Sequence, residues 1–198
     1  MAPGPLTFSP LPKTDPLHVA LGKIGELYTA TNFMTWWDAR GFAVEGPDAS
    51  DWDPADRAHA DILAKFVEVE VLPGYRSGGS LQFADHVARV GPIGWPDVRE
   101  GLLDALKHHP TAGGSNQSSA AGTFSPHAFM LLDVLETQIA QALGLAGSND
   151  LTVGVGLRCA RLRPREQSAF EGTLYQHLFL VWAPLSQRLL WFDLGGSQ

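Results

Sequence analysis

Three consecutive pieces near the C-terminus, LYQHLFLVWA (174–183), PLSQ (184–187) and RLLWFDL (188–194), decide the fold of this chain. Leu174 to Trp182 is a nearly continuous apolar run of strand length, and Arg188 to Leu194 is a second. Pro184 to Gln187 supply the turn between them. Strands apolar at almost every position are buried on both faces, so helices are expected to cover one side of their sheet.

Upstream, Leu151, Val153, Val155, Leu157 and Cys159 alternate with other residues, which predicts a strand from Leu151. Gly154 and Gly156 fall on its opposite face, where small residues imply close approach by a backbone or a ligand. Before this meander, Leu131, Leu135, Ile139 and Leu143 recur every four residues from Pro126 onward. Leu132, Val134 and Ala142 widen that stripe into the face of a core helix over 126–143, ended by Gly144 and Gly147. The stretch PTAGGSNQSSAAGTFS (110–125) has the composition of a flexible loop, fit for a lid, an interface or a linker.

The N-terminal two thirds read as helices. Asp15-Pro16, Asp53-Pro54 and Ser125-Pro126 each set a capping side chain before a proline suited to the first helical turn. Leu17, Leu21, Ile24, Tyr28 and Thr31 line one helical face, with Gly41 as the expected stop beyond Phe33, Trp36 and Trp37. Ala58, Ile62 and Phe66 line a second helix. Val67, Val69 and Val71 then alternate with glutamates, which predicts a short strand before Pro73-Gly74, with a longer helix as the rival. A short helix is expected from Ser80 to Val90 and another from Trp95, with Val98, Leu102, Leu103 and Leu106 on its apolar side. Residues 1–14 carry Pro3, Pro5, Pro10 and Pro12 and read as an extended arm. The expectation is an α+β fold: about five helices, then a C-terminal antiparallel sheet of three to four strands, with residues 15–198 as one domain.

Composition narrows the function classes. The chain has 198 residues, 44% hydrophobic and 18% charged, which is globular rather than disordered. A formal net charge of −7 repels phosphate backbones and anionic lipid surfaces, so neither nucleic acid nor membrane is an expected partner. Cys159 stands alone, which excludes an internal disulfide and a thiolate zinc site. A lone cysteine and an N-terminus without an apolar core segment imply a cytoplasmic protein.

Metal and cofactor motifs are missing. The acidic stretch 45–61 fails as an EF-hand counted from Asp51, because Asp56 stands at the glycine position and Ile62 at the glutamate position. The seven histidines show no HExxH or similar spacing. Neither Gly78-Gly79-Ser80 nor Gly113-Gly114-Ser115 completes a phosphate-binding loop, and Gly154-Val155-Gly156 lacks the third glycine of a dinucleotide fingerprint. No metal and no cofactor is expected.

Two constellations remain. Arg158, Arg161, Arg163 and Arg165 crowd one strand end, either as a site for an anion or acidic partner or as an edge defended by charge. Cys159 and His177 fall on successive strands and on odd-numbered faces, the layout of a thiolate nucleophile and its base. The text from Thr152 through Gly154, Gly156 and Cys159, followed by Gln176-His177-Leu178, loosely resembles the Cys–His protein-glutamine deamidases related to chemotactic receptor deamidase. The resemblance covers residues 152 to 180 and implies Cys159 as nucleophile, His177 as base and Thr152 as helper. The competing reading makes Cys159 a buried continuation of an apolar face.

The leading expectation is a protein-binding module without catalytic activity, such as an adaptor, inhibitor or immunity-type protein. Its contacts would be the exposed-looking tryptophans Trp36, Trp37, Trp52 and Trp95 with Arg158, Arg161 and Arg163. A cysteine-dependent hydrolase or glutamine deamidase is the alternative.

Overall fold

The computed structural model describes residues 4–29, 35–74, 87–107, 126–154, 156–164 and 173–197. Their strands are β1 (Thr7–Pro10), β2 (Thr35–Glu45), β3 (Val87–Ile93), β4 (Arg158–Pro164), β5 (Thr173–Ala183) and β6 (Arg188–Ser197). The helices are α1 (Pro16–Thr29), α2 (Ala60–Phe66), α3 (Trp95–Lys107), α4 (Pro126–Ala142) and α5 (Ser148–Val153). Helix and strand mix as expected, but the sheet is larger than three or four strands and is not confined to the C-terminus. Its order is β1-β2-β6-β5-β4-β3, antiparallel throughout. The C-terminal hairpin is its centre, with Leu180 opposite Trp191 and Trp182 opposite Leu189.

Both faces of that hairpin are covered. Phe179, Val181, Leu190 and Phe192 pack with Leu17 of α1, Val98 of α3 and Leu135 and Ile139 of α4. Leu180, Trp182, Leu189 and Trp191 pack on the other face with Trp52, Leu63, Phe66 and Val71. Every second residue of each strand therefore enters a different core, which explains why the run reads as continuously apolar. The helix expected over 126–143 packs on the sheet through Leu132, Leu135, Ile139 and Leu143, whereas Val134 is exposed.

Four sequence expectations are corrected. Residues 35–45, expected to carry the end of a helix and its stop, form β2: Phe42 and Val44 enter one core, while Ala39, Gly41 and Ala43 give α1 room on the other face. A Cβ on Gly41 would lie 2.6 Å from Leu11 Cδ1, so the glycine marks a close approach inside the strand rather than a helix stop. The expected strand at 67–71 is instead a π-helical turn continuing α2, with Val67 and Val71 buried and Val69 56% exposed. The four-residue spacing of the buried pair, not the alternation, carries the packing. Val87–Ile93, expected as part helix, is edge strand β3, where Pro92 is tolerated on an outer rim.

The fourth correction concerns 151–157. Leu151 to Val153 end α5, and Gly154 (φ +71°) closes it with its N–H on the carbonyls of Asp150 and Leu151. Gly156 (φ +72°) follows in the same left-handed region. Such angles suit glycine and are incompatible with a strand, so β4 starts only at Arg158. Within the proline-rich N-terminal segment, Thr7–Pro10 pairs with β2 as the other edge of the sheet.

Asp15 caps α1 as expected, its Oδ1 accepting from the Leu17 N–H at 2.9 Å. The same carboxylate receives both terminal nitrogens of Arg188, at 3.1 and 2.8 Å, and Arg188 also donates to the Ala142 carbonyl at 2.8 Å. One guanidinium thus ties the start of α1, the end of α4 and the start of β6. Asp53 Oδ1 accepts from the Ala55 N–H at 2.9 Å as expected, but the helical residues begin only after Asp56, whose Oδ1 accepts from the Ala58 N–H at 2.9 Å. The expected loop at 110–125, and His108 and His109, lie outside the described residues.

Candidate functional site

Helix α3 sets the site. Its first residue, Trp95, is fully buried and donates through Nε1 to Glu136 Oε1 of α4 at 2.6 Å. Arg99, one turn on, donates to Glu136 Oε2 at 2.9 Å and Asp133 Oδ1 at 2.7 Å. Burial pulls the Arg99 guanidinium down, but the hydrogen bonds and charges of Glu136 and then Asp133 reverse this and hold it above its ordinary value. Opposite this anchor, Gly101 lets α3 settle on β5. A Cβ there would stand 2.5 Å from two ring carbons of Phe179 and 3.5 Å from His177 Cγ.

Beside Gly101 the surface opens into a polar hollow of about 270 Å³. Asp97, Glu100 and Gly101 form its α3 wall, and Arg161, His177 and Phe179 form its sheet wall. The His177 ring lies parallel to Phe179, 9° between planes and 5.8 Å between centroids. The Arg161 guanidinium stands 5.7 Å from the Phe179 centroid. Its Nη2 lies 3.4 Å from His177 Nδ1. A guanidinium only donates, so in that contact Nδ1 is the acceptor. Asp97 Oδ2 accepts from the Gly94 N–H at 2.8 Å, which holds that carboxylate at the rim.

The cysteine lies elsewhere. Cys159 is buried among Trp95, Val181 and their neighbours, and it pairs across the sheet with Val181. His177 is four residues back along β5, which at about 3.3 Å per residue puts it roughly 13 Å away. Phe179 and Arg161 fill the interval. Burial pushes the Cys159 thiol from 9.0 up to about 12, with smaller contributions from the charges of Asp97 and Asp53. Thr152 is exposed on α5, its hydroxyl 3.4 Å from the Ser148 carbonyl. The structure does not bring Cys159, His177 and Thr152 together: Thr152 lies on α5, which Gly154 closes, and the strand register separates the other two.

The tryptophan expectation is corrected in part. Trp52 and Trp95 are both fully buried. Trp52 packs against Phe8 and Trp182 at 5.4 and 5.6 Å between ring centroids, so its role is in the core. Trp36 and Trp37 pair through β2 with Gly195 and Leu194, and their side chains lie outside the described residues. The arginines divide by strand alternation. Arg158 turns to the second core and donates to the Trp52 carbonyl. Arg161 and Arg163 share the α3 face, where Arg161 lines the hollow and Arg163 is exposed.

Asp97, Glu100 and Gly101 were not singled out by sequence. Their signal was available: residues three and four apart share a helix face, and a glycine inside a helix costs about 1 kcal/mol unless something needs the space. His59, one of the seven histidines, is also accounted for structurally, its Nδ1 accepting from the Asp53 N–H at 3.0 Å. Among the described residues no three His, Cys, Asp or Glu side chains are grouped to hold a metal ion. Among them, no helix is long and apolar enough to cross a membrane.

No family model matches the chain, and no curated protein matches it. Solved structures do. Citrus MAF1 in space group C 2 2 21 superposes with a TM-score of 0.52 at 10% identity, covering 90% of this chain and 99% of that one. A second crystal form of citrus MAF1, in space group P 31 2 1, gives 0.46 at 13% identity, over 89% and 97% of the two chains. At such identity the first of these likenesses establishes a shared fold: the six-stranded sheet and its helical layers have the architecture seen in citrus MAF1.

Proposed function

We propose that the chain is a cytoplasmic, non-catalytic protein-binding module of adaptor, inhibitor or immunity type. The observation that carries this reading is the position of Cys159. The one thiol of the chain is buried, pushed up to about 12, and separated from His177 by Phe179 and Arg161. A nucleophile needs a base within hydrogen-bond reach and a path for substrate; Cys159 is buried, and among the described residues His177, the base the sequence suggested for it, stands four residues along β5 from its partner Val181.

The contact surface in this proposal centres on Arg163, exposed on β4 next to Arg161 in a chain of net charge −7. A local basic point on an acidic protein favours an acidic patch on the partner and orients its approach. The test is quantitative capture from the native cell with the wild-type chain, Cys159→Ala and Arg163→Glu. The expected result is a stoichiometric partner retained by Cys159→Ala and reduced at least about tenfold by Arg163→Glu. Absence of any stoichiometric partner, or loss with Cys159→Ala alone, contradicts the proposal.

A further inference from the structure

We infer that the hollow between α3 and the β4–β5 strands is a binding site for a small zwitterion of the free amino acid type. Its two walls carry opposite charge. The Arg161 guanidinium stands on the sheet side, beside the His177 ring, and the carboxylates of Asp97 and Glu100 on the helix side. Among the described residues no ion pair joins Arg161 to either carboxylate, although all three line one space. A ligand bearing both signs matches these walls, its carboxylate on the Arg161 guanidinium and its ammonium on Asp97 and Glu100.

The sheet wall is preorganised. Phe179 is fully buried and fixed by Gly101 packing against it, and Arg161 and His177 both stack on that ring. The guanidinium therefore loses little freedom on binding, which is where small-ligand affinity is usually lost. A volume of about 270 Å³ takes one small molecule and not a folded peptide segment. A simple anion would meet two carboxylates and a simple cation a guanidinium, so neither alone matches the walls.

This goes beyond the protein-binding reading, and its test uses the purified full chain with no protein partner, so the two fail separately. Glycine, L-alanine, L-serine and L-glutamine are titrated by calorimetry, with acetate and methylamine as single-charge controls. The expected result is saturable one-to-one binding of at least one amino acid, at least about tenfold tighter than either control. Arg161→Gln and Glu100→Gln are each expected to weaken it about fivefold or more, Glu100 being an exposed side chain whose loss leaves folding intact. No saturable binding up to about 10 mM, acetate binding as tightly as the amino acids, or no effect of Glu100→Gln overturns the inference.

Discussion

Gly101 and Phe179 are in such close contact that a single methyl group on the glycine would lie 2.5 Å from the ring atoms Cε2 and Cζ. This contact sets the height of α3 above β5, and with it the hollow that Arg161 and His177 share with Asp97 and Glu100. Alanine at 101 gains about 0.5–1 kcal/mol of helix propensity. It then drives a methyl into a ring that is fully buried and has nowhere to go. Overpacking of this kind costs about 1–3 kcal/mol, so the net expectation is destabilisation. Urea denaturation of Gly101→Ala should show a lower midpoint, and Phe179→Leu in the same chain should recover part of the loss. A raised midpoint would mean that α3 is free to lift.

The Glu136 carboxylate holds α3 to α4 through Trp95 and Arg99, and it is almost fully buried. Glu136→Ala leaves the Trp95 indole N–H buried without an acceptor and Arg99 with Asp133 alone. The expected cost is about 2–4 kcal/mol in equilibrium denaturation. Glu136→Gln still offers an oxygen to Trp95 and should lose about half as much. Equal losses for the two variants would show that the charge, not the Trp95 hydrogen bond, carries the anchor.

Asp15 serves two structures at once, capping α1 and receiving Arg188. Removing the cap alone costs about 1 kcal/mol. Asp15→Ala also strips Arg188 of its ion pair, so it should cost more than Asp15→Ser, which keeps a capping oxygen. The ordering of the two denaturation midpoints checks this.

The sequence showed the central hairpin clearly because its strands are buried on both faces and bounded by Pro184 to Gln187. The core helix at 126–143 was legible for the same reason, a long periodic stripe. The other strands were obscured by residues chosen for packing rather than for pattern. Ala39, Gly41 and Ala43 are small because α1 lies on them, which hid β2. Gly154 and Gly156 mimicked a strand face but adopt left-handed turns. Of the candidate site, Arg161 and His177 could be named from sequence, but Asp97 and Glu100 arrive from α3 through a register that only the folded sheet defines. Trp52 and Trp95 looked exposed because tryptophan serves cores and interfaces alike.

Cys159 also predicts a pH dependence. Its thiol is ordinarily at 9.0 and is raised to about 12 in the folded chain, so the folded state holds the proton more tightly than the unfolded one. The contribution to stability is complete below about pH 9 and is lost as pH rises toward 12. Relative to Cys159→Ala, the wild-type chain should therefore lose stability across that alkaline interval and not below it. Parallel denaturation series of the two chains at rising pH measure the difference.

A thiol sealed in the core is the central claim, and the rate of Cys159 alkylation by iodoacetamide at pH 7.5 tests it most directly. Raising the thiol from 9.0 to about 12 lowers its thiolate fraction about a thousandfold, and burial slows the reagent further. The native chain should react at least about a hundredfold slower than the same chain in denaturant. A native rate equal to or faster than that of a free-cysteine peptide would contradict a buried, non-catalytic Cys159 and restore the enzyme reading.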